Sequence, residues 1–158
     1  MQFIKGFNGQ YHWLSNSYLS KLIWTGIEYP SAEHAFAAGR TIDRFERMVI
    51  AQLPTSDGAK SAGRKTTLRE GWNEGVAVRV MREVLDAKFK NPSLRKLLLG
   101  TDNAMLVETN LWHDERWGDC ECGRIECAIP GANLLGICLM DLRANLRAEQ
   151  RESLLTMA

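Results

Sequence analysis

Two carboxylates sit in settings that suit chemistry. Asp114 lies three residues ahead of a Trp-Gly pair in Asp114-Glu115-Arg116-Trp117-Gly118, a segment with no helical period. An indole outside a periodic element offers a flat apolar face, and Gly118 would let the backbone approach a ligand closely. Glu33 lies in Tyr29-Pro30-Ser31-Ala32-Glu33-His34. Pro30 and Ser31 read as a helix start, which places Glu33 in the first turn, near the positive end of the dipole. Each acid also has a plain structural role open to it. Glu33 can complement the dipole, and Asp114 can form a turn with its own backbone. Cleaving a C–N or C–O bond at an anomeric carbon passes through an oxocarbenium-like state, which carboxylates placed near that carbon stabilise.

Other residues could assist. Lys60, Arg64 and Lys65 cluster around Gly63. They are a solvated face or a phosphate site, where Arg gives a bidentate fork and Lys a point charge. Their spacing is not that of a P-loop. Trp72, at the head of a helical pattern, reads first as core. His34 either orients Glu33 or is a packed ring. His113, Cys120, Cys122 and Cys127 offer four soft or borderline ligands in one loop. Structural zinc prefers more regular paired spacings, so free thiols and no metal are expected, with zinc as the rival. No nucleophile elbow supports a Ser or Cys nucleophile.

The elements must position these groups. A chain of 158 residues, 45% apolar and 25% charged, is expected to form one domain without a disulfide staple. A net charge of +1 argues against broad phosphate neutralisation of nucleic acid, though not against a local pocket for one or two phosphates. There is no signal-peptide pattern and no membrane-spanning run, so a cytoplasmic protein with reduced cysteines is expected. Short strands are predicted over 2–7, 21–24 and 27–29, with a turn at Thr25-Gly26. Helices are predicted from a Ser31 cap to about Gly39, around 45–52, and from a Ser56 or Asp57 cap through Arg64. Two more cover 72–90, with Val76, Val80, Met81, Val84, Leu85 and Phe89 on one side, and 93–99. A strand over 104–109 precedes an irregular segment, 110–131, long enough to suggest function. A last helix, 133–147, precedes a fraying tail. The expected class is α+β: a single, mainly helical domain over 1–148 with a few short strands, and a tail over 149–158.

Five segments together resemble the NADAR family over nearly the whole chain, about residues 3–147. They are Trp13-Leu14-Ser15-Asn16-Ser17-Tyr18; Tyr29-Pro30-Ser31-Ala32-Glu33-His34-Ala35-Phe36; Lys60 with Gly63-Arg64; Lys88-Phe89 with Asn91-Pro92; and Asp114-x-x-Trp117-Gly118 leading into Asn133-Leu134-Leu135-Gly136, Leu139-Met140 and Arg143. The resemblance implies an N-glycosidase without a cofactor, on the YbiA-like fold. One branch of the family hydrolyses phosphorylated riboflavin precursors, and another removes ADP-ribose from guanine in nucleic acid. By that resemblance Glu33 and Asp114 are the catalytic carboxylates, while Trp72 and Trp117 line the pocket with Gly118. Lys60 and Arg64 would meet phosphate, and Asn16 would shape the site. Ser17 stands where the first motif usually has Phe, which removes one aromatic wall. The expected partner is a ribosylated nucleobase or nucleotide-like molecule, or ADP-ribosylated nucleic acid, with no membrane. The alternative is a module that reads ADP-ribose or a nucleotide without cleaving it.

Overall fold

The computed structural model describes residues 1–158. In chain order the elements are β1 (Phe3–Lys5), a 3₁₀ turn (Gly9–Leu14), β2 (Leu19–Trp24), β3 (Ile27–Ser31), α1 (Ala32–Ala38), α2 (Arg44–Ala51), α3 (Ser56–Gly63), a 3₁₀ turn (Trp72–Glu74), α4 (Val76–Lys88), α5 (Pro92–Leu99), β4 (Met105–Val107), β5 (Thr109–Asn110), β6 (Asp119–Cys120), a 3₁₀ turn (Ile125–Cys127) and α6 (Leu134–Thr156). The fold is half helical with short strands. No helix is long and apolar enough to cross a membrane. The chain forms two compact units, residues 16–91 and residues 1–15 with 92–158.

In the unit of residues 16–91, β2 and β3 form an antiparallel hairpin, Leu22 opposite Tyr29 and Trp24 opposite Ile27. Thr25 and Gly26 turn it with both residues at positive φ, which matches the twist of the flanking strands. Helix α1 begins where the sequence marks it: the Ser31 Oγ accepts the His34 N–H. Small residues let other helices close on α1. A Cβ at Gly63 of α3 would stand 2.9 Å from the Ala37 Cβ, and one at Gly39 would stand 2.5 Å from Val80 of α4. Ala77, Val80, Met81, Val84, Leu85 and Lys88 form the buried face of α4. Trp24 ties the hairpin to that helix, its Nε1 donating to Glu83 Oε2 at 2.9 Å.

In the other unit, β1 and β4 pair in parallel, Ile4 beside Leu106. Helix α6 packs on β4. Its Gly136 is obligatory, because a Cβ there would stand 2.1 Å from the Leu106 carbonyl oxygen. Arg143 is buried and donates to Thr101 Oγ1 at 2.7 Å and to the Ala104 carbonyl at 2.9 Å.

Several boundaries differ from the sequence reading. Thr55, not Ser56 or Asp57, caps α3, accepting from the Gly58 N–H. Trp72 lies in a 3₁₀ turn, and α4 starts at Val76 because Gly71 and Gly75 both take positive φ and interrupt the helix. The 3₁₀ turn Gly9–Leu14 carries no amphipathic period long enough to reveal it. Helix α6 does not end near Arg147 but runs to Thr156, with every residue from 148 onward exposed. Glu149 on that extension pairs with Arg95 of α5 at 3.0 Å. The sequence suggests a tail there because the extension has no apolar face to bury; its leucines, Leu154 and Leu155, are exposed.

Candidate active site

Helix α1 is almost wholly buried. From Ala32 to Arg40 the residues that are not buried are Glu33, Phe36 and Arg40. At 100° per residue these fall within about 60° of arc, so they form one accessible stripe. It presents a carboxylate, an aromatic ring and a guanidinium, with about 10 Å of helix rise between Glu33 and Arg40. The three stay accessible because their neighbours are committed elsewhere: the alanines to helix packing and His34 to the interior. His34 has no exposed surface. Its Nε2 meets the Leu53 carbonyl at 3.0 Å and its Nδ1 meets Ser31 Oγ at 2.7 Å. A carbonyl only accepts, so Nε2 carries the proton and Nδ1 accepts from the hydroxyl. Burial lowers the His34 pKa, only partly offset by the Leu53 bond. His34 is therefore a packed ring that shapes the start of α1.

Asn16 adjoins Glu33. Its carbonyl oxygen accepts the Glu33 N–H at 2.8 Å, and its Nδ2 donates to Met81 Sδ at 3.4 Å. Its Oδ1 is buried and meets no donor of the chain. A buried acceptor in that state calls for an explanation, and a ligand hydroxyl supplies one.

The close approach of α1 and α3 brings cations to the Arg40 end of the stripe. Lys60 lies on α3 half-buried, and Arg64 caps its C-terminus, exposed. Arg40 Nε donates to the Gly63 carbonyl at 3.0 Å. Burial lowers the Arg40 pKa first, and the nearby charge of Arg64 lowers it further. An anion placed near two such guanidiniums would relieve their repulsion. Arg40 was missed by motif reading. The available signal was its place seven residues after Glu33 on the same helical side.

Trp72 is 4% exposed. Its ring packs on Phe36 at 5.3 Å between centroids, and the Arg40 guanidinium stands 5.6 Å from its centroid. It has little surface left for a ligand, so its core reading prevails over that of a pocket wall. It braces Phe36 and Arg40 from behind.

Lys88 is a second residue that motif reading passed over as a functional group. It occupies an apolar position of α4 and is fully buried. Its Nζ lies 5.8 Å from the Tyr18 ring centroid and 5.4 Å from that of Phe89. Burial pushes its pKa down to about 7. Its signal was a cation one helical turn after Val84, inside the apolar register.

Asp114, Trp117 and Gly118 belong to the other unit. Asp114 Oδ1 accepts the backbone N–H groups of Arg116 at 3.1 Å and Trp117 at 2.9 Å. That is the turn-forming role, and it uses one of the two carboxylate oxygens. Asn110 grips the loop behind it, accepting from Trp112 and Asp114 N–H and donating to the Asp114 carbonyl at 2.7 Å. Trp117 is half-buried, with the Arg116 guanidinium 5.4 Å from its ring centroid. Gly118 is needed for a reason other than ligand approach. A Cβ there would stand 2.7 Å from the Glu108 carbonyl oxygen, so it is neighbouring protein backbone that requires glycine. The carbonyls of Arg116 and Trp117 accept the N–H groups of Leu134 and Leu135. They satisfy the start of α6, where Asn133 makes no side-chain cap. Asn133 instead accepts the Glu108 N–H at 3.0 Å and donates to the Leu106 carbonyl at 2.9 Å.

Residues 2–147 match the NADAR domain model. The chain belongs to the NADAR family. Among relatives, this NADAR chain is 38% identical to the N-glycosidase YbiA of Escherichia coli (strain K12) over 128 residues, 79% of this chain and 75% of that protein. It is equally similar, over the same shares, to the N-glycosidase YbiA of Shigella boydii serotype 4 (strain Sb227). The NMR structure of the E. coli protein YbiA superposes with a TM-score of 0.81 at 35% identity, covering 96% of this chain and 88% of that one. The NADAR fold here is thus the YbiA-like fold.

Proposed function

We propose that this NADAR protein is an N-glycosidase that hydrolyses the bond between a phosphorylated ribose and a base nitrogen. The relatives named above are N-glycosidases by name. The observation that carries the reading here is the accessible stripe of α1: Glu33 at one end, Arg40 with Arg64 nearby at the other. A carboxylate suits the cationic ribose of the transition state, and the guanidiniums suit its phosphate.

In the reaction the C1′–N bond breaks as positive charge grows on the ribose. Ionised Glu33 stabilises that charge and accepts a proton from the water whose oxygen bonds to C1′. The departing nitrogen takes a proton from a second acid or from water. The family resemblance implies Asp114 as the second carboxylate, with Oδ1 holding the turn. Asn16 Oδ1 receives a sugar hydroxyl, Lys60 joins the phosphate contacts, and Trp117 offers its half-exposed ring. The substrate is either ADP-ribose linked to guanine of nucleic acid or a phosphorylated N-ribosyl intermediate of the riboflavin pathway.

One experiment separates these. The protein is incubated with ADP-ribosylated guanine DNA and, separately, with the riboflavin-pathway intermediate, and freed sugar and base are measured. Cleavage of one substrate is expected. Glu33→Gln and Asp114→Asn should each lower turnover about 10²–10⁴-fold. Asp114→Asn keeps a carbonyl oxygen to accept the Arg116 and Trp117 N–H bonds, so the turn survives. Binding of ADP-ribose with no product from either substrate would make the protein a reader instead. Near-normal turnover in both variants would remove the two acids from the mechanism.

A further inference from the structure

The loop 110–131 holds a cluster that the α1 stripe does not use. His113, Cys120, Cys122 and Cys127 each bring one donor atom to a common point, all within 4.8 Å of one another. His113 Nδ1 lies 3.2 Å from Cys127 Sγ, 3.7 Å from Cys122 Sγ and 3.9 Å from Cys120 Sγ. A tetrahedral zinc with Zn–S of about 2.3 Å and Zn–N of about 2.0–2.1 Å sets its ligands about 3.6 Å (N to S) and about 3.8 Å (S to S) apart. The three N–S separations bracket the first value, and the sulfurs lie within 4.8 Å of one another. We propose that this loop is a Cys₃His zinc site, with His113 Nδ1 and the sulfurs of Cys120, Cys122 and Cys127 as its four ligands.

The backbone is built around that point. Gly123 takes φ +77, and the Arg124 N–H after it turns back onto Cys122 Sγ at 3.5 Å. N–H donors aimed at sulfur offset the charge of metal-bound thiolates, and outer partners of this kind orient ligands. His113 itself has φ +67, a left-handed conformation uncommon outside glycine. Such strain persists only where the surroundings over-determine it. The pairing of β5 with β6 sets Asn110 beside Cys120, which brings the His113 and cysteine arms together. The Cys120 N–H is held by Glu115 Oε2 at 3.3 Å.

Four protein donors complete a tetrahedron, so the site is structural and keeps no open position for a water. The three sulfurs bind as thiolates and release their protons to solvent, and no electron is transferred. The irregular spacing Cys-x-Cys-x₄-Cys puts free thiols ahead of zinc in the sequence, because the histidine comes first and the β5–β6 pairing, not a compact knuckle repeat, brings the four residues together.

The test uses the full-length chain, purified under reducing conditions, stripped with a chelator and reloaded with zinc alone. One zinc per chain should survive dialysis. Cys122→Ser and Cys127→Ser should lose it, while Cys138→Ala, which alters a buried thiol of α6 outside the cluster, should keep it. Cobalt supplied in place of zinc should give the visible absorption of a tetrahedral thiolate site, which tests the proposal on the unaltered chain should the serine variants fail to fold. Three results would overturn it: no retained zinc in the reduced wild-type chain, a cobalt spectrum of octahedral oxygen and nitrogen ligands, or equal metal loss in Cys138→Ala. None depends on N-glycosidase activity.

Discussion

Gly63→Ala tests whether the approach of α3 to α1 is as tight as the arrangement of the stripe requires. The new Cβ would lie 2.9 Å from the Ala37 Cβ and 3.1 Å from both its Cα and its carbonyl oxygen. Carbon atoms rest about 3.5–4.0 Å apart, so the helices must separate by roughly 0.6 Å or more. Two of the three obstacles are backbone atoms, which cannot rotate away. Overpacking of this kind costs about 1–3 kcal/mol. Alanine recovers at most about 1 kcal/mol of helix propensity over glycine, less at the last residue of a helix. The net loss is about 1–2 kcal/mol, and for a chain of this size each kcal/mol lowers Tm by about 2–4 °C. Thermal unfolding followed by circular dichroism measures it. Ala37→Gly in the same chain removes the atom that is struck, so the double variant should show a favourable coupling of about 1 kcal/mol. A Gly63→Ala protein as stable as wild type, or more so, would mean that propensity outweighs contact and would refute the close-packing argument.

Lys88 makes stability depend on pH. Its folded pKa of about 7 lies below the ordinary value of 10.5, so between those limits the unfolded chain binds the extra proton and stability rises with pH. Lys88→Met should flatten the rise in unfolding free energy between pH 7 and 10, followed by urea titration, by an amount on the order of a few kcal/mol; an unchanged slope would place the ammonium in water. His34 acts at the acid end. Its folded pKa is lowered from 6.5, so stability should fall as pH drops below about 6.5, and His34→Gln should lessen that fall in urea titrations. Asn133→Ala leaves the Glu108 N–H and Leu106 carbonyl without their side-chain partner and puts alanine at φ +49. It should cost about 2–4 kcal/mol. Asn133→Gly, free of the backbone strain, should cost about 1 kcal/mol less.

Local signals were legible because local physics produces them. Ser31 capped α1 as its hydroxyl must, Thr25-Gly26 turned the hairpin, and the apolar period of α4 was buried where the 3.6-residue repeat put it. The helix around Phe45 formed too, yet Phe45, Met48 and Val49 are each at least 46% exposed. Periodicity gave the element, but not which side of it met the core.

The sequence by itself determined the family, the helices and the placing of Glu33 in the first turn of α1, because capping and amphipathic period act over a few residues. Only the tertiary structure decided the rest. It made Glu33, Phe36 and Arg40 the accessible stripe, set Trp72 behind them, gave one oxygen of Asp114 to a turn, and gathered His113 with three cysteines. Each of those outcomes depends on which surface a neighbouring segment covers. That depends on contacts between residues far apart in the chain, which no local pattern encodes.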